Sequence, residues 1–246
     1  TSGIVRNGVL LYGPQGTGKN FLAEGTAGEF GANWYHVRCP QLLGPMIGST
    51  TTEIRRAFDW ARAHRPIVMF LDEIDAIGSK KALQGGSDSG GAGREYNTIV
   101  TQLMQSIDDC RNVEGLLIVA ATNHIDTLEP ALIRDGRFDA KLRLDLPDEE
   151  GRKEVLLSLL KETRWRSHEL SRVIRRTAGW SPARLKAMVD RCVLTSKDQP
   201  LSEEHLLATI ESIGGNDRPS LDSVHWDYVV LPVDVVDEIK SLIRLM

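Results

Sequence analysis

Cysteines and long apolar stretches are scarce in this chain, and their scarcity excludes several classes of protein. The three cysteines, Cys39, Cys110 and Cys192, are odd in number and far apart in a sequence of 246 residues. They predict neither a disulfide framework nor a zinc site, and they are typical of a reducing, cytoplasmic setting. No apolar run approaches the ~20 residues that a membrane-spanning helix needs, so we expect no span in this chain.

A strong excess of one charge is also missing. The formal net charge of −4 at pH 7 gives no general reason to expect binding to nucleic acid or to a membrane surface. One arginine-rich stretch fits either a nucleic-acid patch or a solvated helix face. The helix face is favoured because Glu162 and Glu169 interleave with its arginines, which are Arg164, Arg166, Arg172, Arg175 and Arg176.

What the sequence does contain is a regular alternation of short apolar runs and helical patterns. Buried strands are predicted at residues 9–12, 33–37, 67–71 and 116–121, and an edge strand at residues 141–145. Strands separated by helices predict an α/β fold, with a parallel sheet sandwiched by helices. In such sheets the active site lies at the carboxyl ends of the strands.

Two of the predicted helices carry specific expectations. The first follows Lys19 and is expected to turn Phe21, Leu22 and Ala27 towards the core. The second is expected to begin with Thr51 or Thr52 as its cap, because a hydroxyl there can accept from the free N–H groups of the first turn.

The pattern changes after residue 147. Residues 148–213 contain four helical stretches and no strand pattern, which predicts a small all-α subdomain after an α/β subdomain of residues 1–147. Residues 214–246 begin with a Gly- and Asn-rich linker and are too short to fold alone. The glycine-rich residues 85–93 cannot contribute to a core and are predicted to form a mobile loop.

A glycine-rich turn joins the first predicted strand to the first predicted helix. It reads Gly13-Pro14-Gln15-Gly16-Thr17-Gly18-Lys19, which has the G-x-x-x-x-G-K spacing of a P-loop. Backbone N–H groups and a helix N-terminus surround phosphates in such a loop. Lys19 adds a positive charge at the β and γ phosphates. We therefore predict a site for a nucleoside triphosphate, ATP or ADP, with Mg²⁺.

The residue after the lysine departs from the P-loop rule. A Ser or Thr hydroxyl normally coordinates Mg²⁺ at this place, and this chain has Asn20. An amide oxygen is also a hard ligand, but its reach differs. Two interpretations stay open, namely weakened metal binding or adequate substitution by the Asn20 side chain.

Polar side chains follow two further predicted strands. Asp72 and Glu73 end the run of residues 67–71, and Asn123 follows the run of residues 116–121. Asp72 is suited to holding Mg²⁺ through its waters, and Glu73 to polarising an attacking water as a general base. Asn123 is suited to orienting that water or touching the γ-phosphate. These three residues and Gly13 are expected to meet at one edge of the sheet.

Together these segments resemble the AAA+ ATPases, and within them the AAA subgroup of protein unfoldases, AAA proteases and severing enzymes. The segments are GVLLYGPQGTGK (residues 8–19) for Walker A, FLDEIDAIG (70–78) for Walker B, IVAATN (118–123) for sensor 1 and LEPALIRDGRFD (128–139) for the second region of homology. The resemblance covers residues 8 to about 213. It makes Arg134 and Arg137 arginine-finger candidates, which act on a neighbouring subunit's nucleotide.

The resemblance also implies partners and further site residues. The family forms rings, usually hexamers, with ATP between subunits and a pore loop that pulls polypeptide; Met46 and Ile47 occupy the pore-loop position here. The helical subdomain resembles the AAA lid, in which residues matching Gly179, Ala183 and Arg184 lie near the nucleotide. Arg184 is either a sensor-2 arginine or part of a surface ion pair. The implied nucleotide-binding set is Gly13, Pro14, Gln15, Gly16, Thr17, Gly18, Lys19, Asn20, Phe21, Asp72, Gly179, Ala183 and Arg184, with Asn20 and Asp72 at the metal.

Two functions are therefore weighed on the sequence alone. The leading one is an ATP-hydrolysing, ring-forming module that remodels or unfolds polypeptides. The alternative is a nucleotide-binding module with impaired hydrolysis that serves ring assembly or regulation, and it rests on Gln15, Asn20 and Met46. A nucleic-acid motor is the weakest interpretation. A Trp-Asp stretch at Trp226-Asp227 resembles the segment that precedes AAA modules, which suggests that a second AAA module follows.

Overall fold

The computed structural model describes residues 8–44, 48–79, 91–134, 137–138, 140–161, 163–165, 169–196 and 199–217, with the backbone alone for 91–96 and 214–217. Within them lies a five-stranded sheet in the order β2-β3-β4-β1-β5. All of its strand pairs are parallel. The strands are β1 (Gly8–Tyr12), β2 (Asn33–Arg38), β3 (Ile67–Asp72), β4 (Leu116–Thr122) and β5 (Ala140–Arg143).

The sheet is covered by helices on both faces, which confirms the predicted α/β fold. Residues 67–71 of β3 are buried without exception, as expected of a strand that lies between two helical layers. One layer is α1 (Lys19–Glu29), which packs through Ala23 and Ala27 on Phe70. The other contains α2 (Ser49–Ala63) and α4 (Gly91–Asp108), which pack against each other. The short helix α3 (Asp75–Gly78) directly follows β3.

Three local predictions about the helices were wrong. Phe21 and Leu22 are 81% and 45% exposed, and Ala23 takes the buried position beside Ala27. The second helix begins at Ser49 after Gly48, and the hydroxyls of Thr51 and Thr52 donate back to the Gly48 carbonyl instead of capping N–H groups. Residues 91–93, predicted as loop, lie in α4, while residues 85–90 lie outside the described residues.

The predicted helical stretches after residue 147 are present. They are α5 (Glu149–Leu160), α6 (Ser171–Arg176), α7 (Pro182–Thr195) and α8 (Glu203–Asp217). The described residues divide into two compact units: one extends to Arg152 and also includes Gly179–Arg184, and the other comprises the remaining described residues after Arg152. The first helical segment after the sheet therefore contributes to both units.

The arginine-rich stretch forms an exposed helix face within the second unit. The α6 residues Arg172, Arg175 and Arg176 are exposed. The Arg176 guanidinium pairs with Glu211 of α8 at 3.2 Å, and the Arg172 backbone N–H donates to Glu203. Acidic residues thus face this stretch, as the interleaved glutamates predict for a solvated face. Arg166 lies outside the described residues.

The cysteines are all buried and form no disulfide. Burial raises the pKa of each thiol, in the case of Cys110 to about 11, so the three behave as small apolar residues. Among the described residues no helix combines the length and the apolar character that crossing a bilayer requires.

Candidate functional site

The P-loop connects β1 to α1 through a run of glycines in conformations that other residues avoid. Gly13 and Gly16 have φ angles of 136° and 76°. A Cβ on Gly13 would lie 2.1 Å from the carbonyl oxygen of Leu144, which is backbone and cannot move aside. This residue must therefore be glycine for the loop to leave the sheet at that angle. The result is a backbone cradle at the N-terminus of α1.

Lys19 is folded onto this loop. Its Nζ donates to the carbonyl oxygens of Gly13 and Pro14, each at 2.9 Å, and the Thr17 hydroxyl donates to the same Pro14 oxygen at 3.0 Å. Burial lowers the pKa of Lys19, and the negative charge of Asp72 opposes that effect. The ammonium group is thus held inside the loop, within the electrostatic reach of Asp72.

The first turn of α1 places its side chains outward. Asn20 and Phe21 are exposed, and the Leu22 N–H donates to the Gly18 carbonyl at 2.9 Å as the helix begins. Because Phe21 is apolar, exposed and next to the P-loop, it is available for contact with a ligand and does not belong to the core. The Asn20 amide is likewise open to solvent at the start of the helix.

The acidic pair at the end of β3 has a defined geometry. The Glu73 N–H donates to Asp72 Oδ1 at 3.0 Å. Glu73 itself is exposed and has a φ of 53°, in the left-handed region. A non-glycine residue in this region stores backbone strain, of order 1–3 kcal/mol, which surrounding contacts must hold in place.

Those contacts come from β4. The Ile74 N–H donates to the Ala121 carbonyl at 3.0 Å, and the Thr122 hydroxyl donates to Asp75 Oδ1 at 2.7 Å. The turn that carries Glu73 is therefore pinned to the end of the neighbouring strand. Asp75 has a structural role in this arrangement.

The sheet order brings the predicted residues to one edge. β4 lies between β3 and β1, and Leu11 and Leu71 align with Ala121 and Ala120 of β4. Gly13 and Asn123 follow β1 and β4, and Asp72 is the last residue of β3, so all three lie at the carboxyl ends of adjacent strands. Asn123 is half-buried there. The first unit therefore places the P-loop, the acidic pair and the polar residue after β4 side by side.

The two finger candidates differ in their surroundings. Arg134 is exposed. The Arg137 guanidinium makes a two-pronged ion pair with Asp108 at the end of α4, with Nε–Oδ1 at 3.0 Å and Nη2–Oδ2 at 2.7 Å. It also donates to the Ala131 carbonyl. Arg137 therefore contributes to the packing of its own chain.

This difference gives a prediction about stability. Arg137→Ala is expected to lower the free energy of unfolding by about 1–3 kcal/mol, because it removes charge-assisted hydrogen bonds from a partly buried carboxylate. Arg134→Ala is expected to change it by less than about 0.5 kcal/mol, as is usual for an exposed side chain. Urea unfolding of the two variants beside the parent chain measures both values. Equal losses would contradict the assignment of the ion pair to Arg137.

The segment of residues 179–184 belongs to the same unit as the P-loop and bonds to it. The Ala183 N–H donates to the Gly16 carbonyl at 3.1 Å. A Cβ on Gly16 would meet Ser181 Oγ at 2.8 Å and Ala183 Cβ at 3.0 Å. Gly179 has a φ of 76°. This close approach places the segment against the middle of the phosphate loop.

The Arg184 side chain contacts an aromatic ring of its own segment, and both of its interpretations, a sensor-2 arginine or a surface ion pair, stay predictions. Its guanidinium carbon lies 4.2 Å from the centre of the Trp180 ring, and the Arg184 backbone N–H donates to Ser181 Oγ at 3.3 Å. The ring of Trp180 is buried. A cation–π contact therefore orients this side chain next to the P-loop segment.

A comparison with known protein families identifies the family of this chain. The family model described as "ATPase family associated with various cellular activities (AAA)" matches residues 9–146. This range includes the P-loop, the acidic pair, Asn123 and both arginines. The chain belongs to the AAA ATPase family. Membership confirms the expected AAA resemblance and the expectation of an ATPase.

Individual relatives of this AAA chain fall into two named groups. An "ATP-dependent zinc metalloprotease FtsH" of Mycoplasmopsis synoviae is 38% identical over 77% of the chain and 28% of the relative. A "Proteasome-activating nucleotidase" of Pyrococcus horikoshii is 33% identical over 88% of the chain and 54% of the relative, and one of Methanopyrus kandleri is 37% identical over 74% and 41%. The chain thus spans about a quarter to a half of the length of these relatives.

Sequence reasoning about this AAA module missed several residues of the site. Asp108, which accepts hydrogen bonds from Arg137, precedes it by 29 residues, so no local pattern joins the two. Trp180, whose ring contacts Arg184, lies only four residues before it. His36, beside Asp72, also went unnoticed. The one signal for His36 was its position one residue before the end of the strand predicted at residues 33–37. The predicted pore-loop residues Met46 and Ile47 lie outside the described residues.

Proposed function

We propose that this chain is an ATP-hydrolysing module that works in a ring, usually a hexamer, and remodels or unfolds polypeptides. The observation that carries the proposal is the convergence of the P-loop, Asp72-Glu73 and Asn123 at one edge of the sheet. Hydrolysis needs a phosphate cradle, a general base and polar groups around the reacting phosphate. The described part of the first unit supplies a residue for each of these roles.

The residues present fit Mg²⁺ as the companion ion of ATP. Mg²⁺ takes oxygen ligands and usually keeps several waters, with one or two carboxylates and the substrate phosphates completing its shell. Asp72 offers a carboxylate and Asn20 an exposed amide oxygen, beside the cradle that Gly13 and Gly16 form. When bound, Mg²⁺ would neutralise charge on the phosphates. Asp72 and Asn20 would hold it.

The chain's own residues divide the remaining work. Lys19, now bonded to Gly13 and Pro14, would exchange these carbonyls for phosphate oxygens. Glu73 would accept a proton from the attacking water, and its exposed carboxylate is accessible for that purpose. Asn123 would orient the water or contact the γ-phosphate. Phe21, Gly179, Ala183 and Arg184 would contribute to the nucleotide pocket beside the P-loop.

Two observations support the proposed ring assembly and the proposed polypeptide substrate: the surroundings of Arg134 and Arg137, and the names of the relatives. Arg134 is exposed and therefore accessible to a neighbouring subunit's nucleotide, and Arg137 would act there with it. The printed names of the relatives include a protease and a proteasome activator, which supports polypeptide as the substrate class. We expect a cytoplasmic setting and no nucleic-acid substrate.

The direct test measures assembly and turnover together. Protein above and below the concentration at which it assembles, judged by light scattering, is assayed for ATP turnover with Mg²⁺. We expect turnover per subunit to rise on assembly, since the arginines act on the neighbour's nucleotide. Assembled protein that binds ATP but shows no turnover would reject the hydrolysis proposed here and favour the alternative, a nucleotide-binding module that serves ring assembly or regulation.

Asn20 is the residue that favours a binding module with impaired hydrolysis, and a substitution at Asn20 distinguishes this alternative from an active ATPase. We expect Asn20→Thr to change turnover by less than about threefold, because an amide oxygen is an acceptable Mg²⁺ ligand. A gain of about tenfold or more, the smallest effect typical of restoring a metal contact, would show that Asn20 impairs the site. Steady-state turnover across a Mg²⁺ titration measures the effect. Asn97→Thr, an exposed substitution on α4, is the control.

A further inference from the structure

His36 lies on β2 next to the acidic end of β3. Its register partner on β3 is Phe70, and Asp72 is two residues further along the same strand. Because side chains two residues apart share a face of a strand, His36 and Asp72 lie on the same side of the sheet. That side is the one on which Phe70 packs with Ala23 and Ala27 of α1.

Aromatic packing fixes the plane of the His36 ring. The ring centre lies 5.3 Å from that of Phe70 and 6.1 Å from that of Trp34, both in tilted arrangements. Trp34 in turn stacks on Phe70 at 5.5 Å. Phe70, the nearer of the two rings, therefore limits how far the imidazole can turn away from Asp72.

The ring nitrogen Nε2 faces the Asp72 carboxylate. It lies 3.4 Å from Asp72 Oδ2, a distance too long for a well-formed hydrogen bond. The Nε2 atom is buried and has no hydrogen-bond partner within the described part of the chain. A buried polar atom without a partner is costly, by about 1–3 kcal/mol, so a hydrogen bond from Nε2–H to the nearby Asp72 Oδ2 would be stabilising.

The other carboxylate oxygen of Asp72, Oδ1, already accepts a hydrogen bond. Oδ1 accepts the Glu73 N–H at 3.0 Å. With Oδ1 held from its own turn and Oδ2 facing His36, the carboxylate is constrained about its terminal bond from two directions. A small closure of the His36 contact would complete that constraint.

We propose that His36 is a positioning residue for the metal-binding carboxylate, with its Nε2–H donating to Asp72 Oδ2 when Asp72 holds Mg²⁺ at the nucleotide. The inference rests on the proposed Mg–ATP site and adds a residue to it. Groups that orient a metal-binding carboxylate typically affect metal affinity by about 10–100-fold when they are removed. His36 acts through Asp72 and touches neither nucleotide nor reacting water in this role.

The test measures how much Mg²⁺ strengthens ATP binding. ATP affinity is determined by calorimetry in EDTA and in saturating Mg²⁺ for the parent chain, His36→Leu and His36→Gln. Trp34→Leu is the matched control, because it removes an aromatic ring from the same cluster without removing the donor to Asp72. We expect His36→Leu to reduce the Mg²⁺-dependent gain in affinity about tenfold or more.

The remaining variants have defined expectations. His36→Gln keeps an amide N–H near the position of Nε2 and should restore most of the gain, and Trp34→Leu should leave it within about twofold of the parent. Affinity in EDTA should be similar for all four proteins. If Trp34→Leu lost the Mg²⁺-dependent gain in ATP affinity as His36→Leu does, the effect would come from packing and the inference would be overturned.

A second measurement needs no substitution. Nitrogen NMR of the ligand-free chain reports which ring nitrogen of His36 carries a proton. We expect a proton on Nε2, since only then can it donate to Asp72. A neutral ring with its proton on Nδ1 would overturn the inference. Absence of any Mg²⁺-dependent gain in the parent chain would instead reject the proposed Mg–ATP site, and the inference with it.

Discussion

Glu73→Gln is expected to lower ATP turnover by the assembled protein at least about 100-fold, the lower bound of what a general base contributes. The amide has the shape of the carboxylate but cannot accept a proton at neutral pH. Glu73 is exposed, and within the described part of the chain no hydrogen bond or ion pair of its side chain is seen, so the fold should be unaffected. ATP affinity should stay within about twofold, since the substitution spares the phosphate cradle.

Steady-state turnover and equilibrium ATP binding are measured on the same preparation. Glu114→Gln is the matched control, because Glu114 is an exposed carboxylate that lies before β4, at the opposite edge of the sheet. It should leave both quantities unchanged. Turnover that survives Glu73→Gln would exclude Glu73 as the base and would reopen the assignment of the acidic pair.

Lys19→Ala is expected to weaken ATP binding about 100-fold, which corresponds to the loss of about two charge-assisted hydrogen bonds of ~1.5 kcal/mol each. In the ligand-free loop the ammonium bonds to the carbonyls of Gly13 and Pro14, and phosphate oxygens carry more negative charge than carbonyls do. The exchange therefore favours binding. The variant loses affinity, whereas Glu73→Gln loses turnover.

Fluorescence titration with a labelled nucleotide measures this effect at two salt concentrations. Lys161→Ala, which removes an exposed lysine from the second unit, is the control for a general change of charge. We also expect Lys19→Ala to keep its melting temperature in the absence of nucleotide, because water can replace the two loop contacts of a half-buried group. An ATP affinity equal to that of the parent would contradict the P-loop assignment.

The sheet and its active edge could be predicted from the sequence because their signals are local. The apolar run of residues 67–71 is buried on both faces, and glycine spacing marks a loop whose backbone excludes other residues at Gly13. Strand ends in a parallel sheet converge by geometry. Gly13, Asp72 and Asn123 could therefore be grouped before any contact was known.

The errors arose where distant neighbours decide the outcome. Helical periodicity alone could not tell whether Phe21 or Ala23 faces the sheet, because the P-loop fixes the rotation of α1. The ion pair of Arg137 with Asp108 of the same chain could not be predicted either, because it depends on where α4 ends; the role of Arg137 at a neighbour's nucleotide stays a prediction. His36 and Asp72 meet across strands, and no short motif encodes that contact.

The place of β1 in the sheet has a consequence for biosynthesis. β1 carries the phosphate loop and is described first in the chain, yet it lies between β4 and β5, paired with residues 118–122 and 140–143. Pairings of such long sequence separation form slowly, because the intervening chain must be closed into a loop first. During synthesis on the ribosome, β1 and the P-loop can therefore reach their folded arrangement only after β4 has emerged. Nucleotide therefore binds only when most of the sheet has formed. It can stabilise the folded chain, but it cannot assist the folding steps that precede the pairing of β1 with β4.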